Sequence, residues 1–401
     1  MKPGVLKALR IGIVTDGLLE RVANGTVQIR NGGVGVYIYN LVKHLQLIDS
    51  TNEYFLIRLG AGALDIYRGE RTHCVFLPGS PLATLGIATR RAVMRLGLDV
   101  VHYPNQFGGT LLPAQLRRVV TLHDLTPLLF PHFHPWRRVL GYRLFLRPAL
   151  RAAHHIIVDA ARTRTDLVER GIAPAHKITV VPLGAATSFA RGVRTDGFRQ
   201  RYDLPERYIL NVGVLEPRKN HGLLLHALAH LHRVGEDISL VIVGRDGWNW
   251  TDPLDTPSLS HLRSWVRIVR NVPDADLPEF YSRATLFAYP SLYEGFGLPV
   301  VEAMASGTPV IASRASSLPE VAGEAALYAD PGDAENFAST LLAVLRDAEL
   351  RERLVAAGLR RARDLSWRTT AERTLAIYRQ VLESDSLTSA APSATPAAPA
   401  R

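Results

Sequence analysis

Hydrophobic residues along this chain gather in short runs without the alternation of a half-exposed strand, and helical stretches separate them. The first half carries "RIGIVTD", "EYFLIRLG", "HCVFLP", "DVVHYP", "RVVTLHD", "HHIIVDA" and "KITVVPLG". Such runs predict parallel strands buried on both faces, with crossover helices between them. After "VVPLGAATSFARGVRTDGFRQRYDLPE" a second series begins: "YILNVGVL", "ISLVIVG", "SWVRIVRNV", "TLFAYPS", "PVIAS" and "AALYAD". The pattern predicts two doubly wound α/β units, residues 1–190 and 205–365, joined by a linker near 184–205. The stretch that follows is helical, with expected breaks at Gly358 and near Ser366. A last helical segment covers 366–384, and the Ser/Ala/Pro/Thr composition of 385–401 predicts a disordered tail.

Composition bounds what these units do. The 401 residues exceed one ordinary core. The apolar runs are strand-length, well short of a membrane span. The opening "MKPGVLKALRIGIVTDG" has no signal-peptide core, so a cytoplasmic protein is expected. The single cysteine, Cys74, excludes an internal disulfide and a multi-cysteine metal site. Residues 1–200 hold 26 Lys and Arg against 12 Asp and Glu, while residues 201–401 hold 21 against 25. The net charge of +10 therefore belongs to the first half, which points to an anionic partner there.

Ligands of open α/β sheets sit at the carboxyl ends of the strands. The segment "SLYEGFGLPVVEAMASGTPVIAS" follows the run "TLFAYP", which places its glycine-rich turn at such an edge. Gly295 and Gly297 let backbone N–H groups approach a ligand, and the helix start beyond them favours an anion. Glu294 before the turn and Glu302 in the helix could each accept hydrogen bonds from hydroxyls. Read alone, both are equally surface charges near a helix start. In "GVLEPRKNHG" two adjacent cations, Arg218 and Lys219, stand at another strand end, suited to a diphosphate. An anion flanked by hydroxylated ends describes a sugar nucleotide.

These segments carry a resemblance. "PSLYEGFGLPVVEAMASGTPVIAS", "GVLEPRKNH" and "SSLPEVAGEAALYADPGD" resemble the retaining glycosyltransferases of family 4, over nearly the whole chain to about residue 384. The resemblance implies the GT-B architecture, two facing Rossmann-like domains with a C-terminal helix crossing back to the first. It makes 1–190 the acceptor-binding domain and 205–365 the nucleotide-sugar donor domain. It implies that Glu302 holds the donor ribose and Glu294 the transferred sugar. Backbone amides at Gly295, Phe296 and Gly297 contact that sugar, while Gly297, Leu298 and Pro299 line the diphosphate side. Arg218 and Lys219 neutralise the leaving diphosphate, and no metal or other cofactor is required. "DAD", Asp274 to Asp276, precedes a helical run and is expected to cap it rather than to hold a metal.

In the first half, "RNGGVGVYIYNLVKHL" is a glycine-rich loop entering a helix; the resemblance places Gly33 and Gly35 against the donor phosphates. The insert "GLLERVANGTVQIR" before it departs from the family pattern. "VVTLHDLTPLLFP" puts His123 and Asp124 at a strand end, where the resemblance makes His123 a contact of the transferred sugar and Asp124 an aid to its loop. In "HPWRRVLGYRLFLRPALRAAHH", Arg143, Arg147 and Arg151 recur every four residues, with Arg137 and Arg138 nearby. That face is either solvated or docks on an anionic membrane, with Trp136 and Phe145 at the interface.

The donor expected from "HDLTPLLFP" and "EPRKN", which look like the bacterial mannosyltransferase branch, is GDP-mannose. UDP-glucose, dTDP-rhamnose and GDP-fucose fit the same motifs. The expected acceptor is a glycan or a polyprenyl-diphosphate-linked sugar in surface polysaccharide synthesis. A dinucleotide oxidoreductase lacks support, because no G-x-G-x-x-G follows the first strand. A nucleic-acid-binding protein would explain the basic half, yet the cations have no aromatic platform among them.

Overall fold

Each of the thirteen apolar runs quoted above forms a strand of one of two parallel sheets. The computed structural model describes residues 8–15, 19–21, 27–29, 32–59, 67, 69–77, 87–105, 112 and 116–388. In chain order the strands are β1 (Arg10–Val14), β2 (Leu19–Arg21), β3 (Val27–Ile29), β4 (Glu53–Leu59), β5 (Thr72–Leu77), β6 (Val100–Tyr103), β7 (Arg117–Leu122) and β8 (His155–Val158). They continue as β9 (Ile178–Val180), β10 (Tyr208–Val212), β11 (Ser239–Gly244), β12 (Val266–Arg270), β13 (Leu286–Tyr289), β14 (Val310–Ser313) and β15 (Ala326–Ala329). The first sheet has the order β5-β4-β1-β6-β7-β8-β9 and the second β12-β11-β10-β13-β14-β15. Strands β8, β10, β13 and β14 are buried at every position, which is why their sequences show no alternation. Two Rossmann-like units of the GT-B type result.

Several local expectations change. The insert before the glycine-rich loop contains an antiparallel pair, β2 with β3, in the register Leu19↔Ile29 and Arg21↔Val27; the rest of the insert lies outside the described residues. No break occurs at Gly358, which sits inside the helix Ala348–Asp364. A Cβ there would lie 3.3 Å from Met304 Cγ, so this glycine serves close helix packing. The last helix runs Trp367–Thr388, four residues beyond the expected end. Nothing in that extension breaks a helix, since the next proline is Pro392. Residues 389–401, the remainder of the expected tail, lie outside the described residues.

The chain crosses between the sheets twice, at neighbouring places. Ala185 pairs with Ser366, and a Cβ on Gly184 would fall 2.5 Å from the Trp367 nitrogen. The last helix then packs on the helix Gly32–Ile48 of the first unit. Its Tyr378 hydroxyl lies 2.7 Å from His102 Nδ1 on β6, and Trp367, Ile377 and Tyr378 are buried. Burial of each such side chain contributes roughly 2 kcal/mol. The crossing-back helix is therefore part of the first unit's core. No helix among the described residues is long and apolar enough to cross a membrane.

Candidate active site

The carboxyl edges of the two sheets face each other across direct contacts. The Trp248 indole donates to the Phe133 carbonyl at 2.7 Å, and the Tyr293 hydroxyl to Asp166 at 2.6 Å. Glu320 accepts from the Ala161 and Arg162 amides at 2.7 and 3.2 Å, and so caps the helix Ala161–Glu169 from the other unit.

On the second sheet, the chain leaves β10 through Gly213 and makes a single turn over Pro217–Lys219. It re-enters a helix at His221 after Asn220, whose φ is +58°. Both cations of that turn are buried. They converge on one carboxylate: Glu294 Oε2 is 2.8 Å from Arg218 Nη1, and Oε1 is 2.7 Å from Lys219 Nζ. Ser291 also donates to Glu294, and Lys219 donates to the Tyr289 hydroxyl at 2.6 Å. Arg218 additionally pairs with the buried Glu216. Burial would raise the Glu294 carboxyl, but the charges of Arg218 and Lys219 outweigh it and hold it at about 2. The sequence showed two cations and, far along, a glutamate; the fold makes them one charge cluster with Glu216 as its fourth member. Arg218 Nε is buried without a protein partner among the described residues, a donor aimed at no acceptor.

The bare turn has a second physical explanation besides ligand access. A Cβ on Gly295 would lie 1.9 Å from the main-chain oxygen of His123, so the first unit's loop occupies that space. Gly297 has φ +102°, and a Cβ there would also meet Leu318 at 2.7 Å. The Ser317 hydroxyl bonds the Glu294 and Phe296 carbonyls at 2.9 and 3.0 Å and pins the turn. The Phe296 side chain belongs to the core. Leu298 opens the next helix, buried, with Pro299 half-buried beside it. Glu302 lies just over one turn further and accepts from the Tyr281 hydroxyl at 2.8 Å. Burial raises its carboxyl to about 7, against the Tyr281 hydrogen bond and with the help of Asp274.

The first unit supplies the facing wall. Gly33 is exposed at the start of its helix, where a Cβ would lie 3.8 Å from Leu298 of the other unit; Gly35 is buried half a turn further on. His123 follows β7, with Nδ1 2.6 Å from Asp159 and Nε2 3.1 Å from the Pro104 carbonyl. Asp124 accepts from the amide and hydroxyl of Thr126 at 3.0 and 2.7 Å, and so holds the loop.

Asp276 of "DAD" does not cap as expected. Asp276 stands at the N-cap of the helix Leu277–Arg283, but its side chain makes no cap bond and accepts from Tyr202 and Arg201. Its backbone is already helical, which turns the carboxylate away from the first amides. No group of three or more His, Cys, Asp or Glu suited to a metal occurs among the described residues.

The five arginines share the helix Trp136–Ala152 and are all exposed. Arg138 does not belong with the others, because it lies over the Trp248 ring of the second unit at 5.0 Å. Arg147 donates to the Arg170 and Gly171 carbonyls. Trp136, Leu140 and Leu144, exposed by 68, 44 and 55%, lie among Arg143, Arg147 and Arg151 at helical spacing, whereas Phe145, also exposed, stands two and a half turns from Trp136 and so on the opposite side of the helix.

Sequence reasoning missed Asp159, Glu216, Tyr281 and Trp248. Asp159 and Trp248 follow β8 and β11 on the ligand edge, so the strand-end rule that found His123 would have found them. Glu216 lies as far beyond β10 as Trp248 does beyond β11 and was open to the same rule; Tyr281 carries no local signal.

The model described as Glycosyltransferase Family 4 matches residues 31–189, and the one described as Glycosyl transferases group 1 matches residues 194–361. The chain is 34% identical over 285 residues to O-antigen chain mannosyltransferase B of Escherichia coli, covering 70% of this chain and 74% of that protein. It is 30% identical over 391 residues to D-inositol 3-phosphate glycosyltransferase of Thermobispora bispora, covering 88% and 90%. Its fold is similar to that of sucrose-phosphate synthase from Thermosynechococcus elongatus, with a TM-score of 0.71 at 21% identity, over 94% of this chain and all of that one.

Proposed function

The chain belongs to the family-4 glycosyltransferases, and from that premise we propose that it moves a sugar from a nucleotide-sugar donor to a glycan or lipid-linked acceptor with retention of the anomeric configuration. The observation that carries this reading is the Arg218–Lys219–Glu294 cluster, buried where the Gly295 turn meets the His123 loop. The second unit binds the donor and the first the acceptor. The donor diphosphate takes the Arg218 Nε donor and the remaining Lys219 proton. Glu294 orients both cations and accepts from a hydroxyl of the transferred sugar; Glu302 accepts from the ribose.

Transfer breaks the bond between the anomeric carbon and the diphosphate oxygen, and the electron pair stays on that oxygen. The acceptor hydroxyl attacks the same face of the sugar, and its proton passes to the leaving phosphate. Cationic donors fixed beforehand stabilise the developing phosphate charge, each worth about 3 kcal/mol in a site of this kind. With two such cations the reaction needs no metal.

Mannose from GDP-mannose is the donor reading; the name of the Escherichia coli relative, a mannosyltransferase, supports the sugar and says nothing of the base. The name of the inositol-phosphate relative specifies neither a sugar nor a base, so the base is put to direct test. Calorimetry with GDP, UDP and dTDP in the presence of chelator tests both claims. Tight binding of GDP alone supports GDP-mannose or GDP-fucose without a metal, selective UDP or dTDP binding replaces the donor, and binding of none removes the reading. The enzyme works at the cytoplasmic face of a membrane, docked through Arg137, Arg143, Arg147 and Arg151 around Trp136, Leu140 and Leu144.

A further inference from the structure

We propose that Asp159 is a positioning residue that keeps the His123 imidazole doubly protonated, so that the ring offers the transferred sugar a hydrogen-bond donor and never an acceptor. This rests on the reading of His123 as a donor-site residue given above. Strands β7 and β8 are adjacent and parallel, with Leu122 opposite Val158, so the next residues on each, His123 and Asp159, emerge side by side. Strand β6 lies on the other side of β7 and delivers the Pro104 carbonyl. Both ring nitrogens thus face oxygens that accept: the carboxylate on Nδ1 at 2.6 Å and the main-chain carbonyl on Nε2 at 3.1 Å. A carbonyl oxygen has no proton to give, so Nε2 carries one; an ionised Asp159 requires a second on Nδ1.

The surrounding groups pull both ways: Asp159 and Asp124 favour a cation on the ring, while burial and Asp124 raise the Asp159 carboxyl against the pull of His123. The Tyr37 ring meets the imidazole edge-on at 4.9 Å, and its hydroxyl is 3.0 Å from Thr121. Thr121 bonds His102 Nε2 at 2.8 Å, and His102 bonds Tyr378, so the wedge that fixes the ring is anchored in the crossing-back helix. A charged His102 on the neighbouring strand would compete with His123, and burial keeps it neutral by lowering it to about 3. Asp124 adds a second negative charge from the same loop. Burial opposes a charged His123, yet Asp159, the Pro104 carbonyl and Asp124 together raise it. Of the two acceptors, the Pro104 carbonyl is the more distant and uncharged, hence the one a sugar hydroxyl replaces.

The test uses the full chain labelled with 15N-histidine, with His123→Gln to assign the resonance. At about pH 8 the wild-type His123 ring is expected to show the two closely spaced nitrogen signals of an imidazolium, and Asp159→Asn the widely split pair of a neutral ring. In transfer assays at saturating donor, the ratio of D159N to wild-type kcat should rise roughly tenfold or more from about pH 8 to about pH 6, as an ordinary histidine regains its proton. A neutral wild-type ring, with the proton on Asp159, overturns the proposal. So does a D159N loss equal at both pH values, which marks a merely structural residue. Should the wild type transfer no sugar from any donor, the functional reading falls, and the ring spectra still decide the protonation state.

Discussion

The main-chain oxygen of His123 fills the space that a side chain on Gly295 would need: a Cβ there would lie 1.9 Å from it. The two residues belong to different sheets, so this contact sets how closely the units approach around the Glu294 cluster. Gly295→Ala is expected to force the His123 loop away, at about 1–3 kcal/mol in stability, and to reduce transfer more than it reduces nucleotide binding. Thermal unfolding with paired kcat and affinity measurements checks this. An alanine variant as stable and active as the wild type would show that the units do not meet here.

Glu294 ties its cations to acid stability. Its folded value of about 2 lies below the ordinary 4.5. A depressed carboxylate contributes stability that is present above the unfolded value and lost as pH falls towards the folded one. The contribution is about 3 kcal/mol, lost between pH 4.5 and about 2. Glu294→Gln should flatten that part of the stability profile. At neutral pH it leaves Arg218 paired with Glu216 and Lys219 with the neutral Tyr289 hydroxyl, at a cost of about 3–5 kcal/mol. Transfer should fall about a hundredfold or more through misplaced cations. Denaturant titrations across this range, beside the transfer assay, give the answer.

Glu302 has the opposite sign. Its folded value is raised from 4.5 to about 7, so the protonated form is favoured in the folded chain. The associated stability, about 3 kcal/mol, is fully present below pH 4.5 and is lost as pH rises through about 7. Glu302→Gln should therefore melt at a higher temperature than the wild type near pH 8, while binding nucleotide more weakly. Ribose hydroxyls favour the ionised carboxylate, so nucleotide binding near pH 6 should release a proton. Calorimetry in buffers of different ionisation enthalpy measures that release, and zero release would separate Glu302 from the ribose.

The arginine face predicts selectivity among lipids. Each basic side chain near an anionic surface contributes about 1 kcal/mol, so replacing Arg143, Arg147 and Arg151 with alanine should weaken binding to anionic vesicles roughly a hundredfold. Flotation with neutral and anionic vesicles is the comparison. Equal binding to both, or a triple variant indistinguishable from the wild type, would leave that helix a solvated face.

The strands of the two parallel sheets, the order of the two units and the ligand edge of each sheet were legible in the sequence, because parallel strands buried on both faces leave uninterrupted apolar runs and their loops carry the glycines, cations and carboxylates. Arg218, Lys219 and Glu294 could be picked out for the same reason, since each lies just beyond a strand's carboxyl end, and Glu302 from its place in the helix that follows the glycine turn. What no local pattern contains is who meets whom. Glu294 bridges two cations, the nearer in sequence 75 residues away, Gly295 yields its side-chain space to His123, and Gly358 continues a helix where its residue type suggested a break. Arg138 turns from its helical neighbours to the Trp248 ring. Asp159 reaches His123 only because β7 and β8 are neighbours. Periodicity and residue type act over a few positions and so determined the elements. Charge pairing, burial and steric exclusion act between elements, and they were decided only when the two sheets came together.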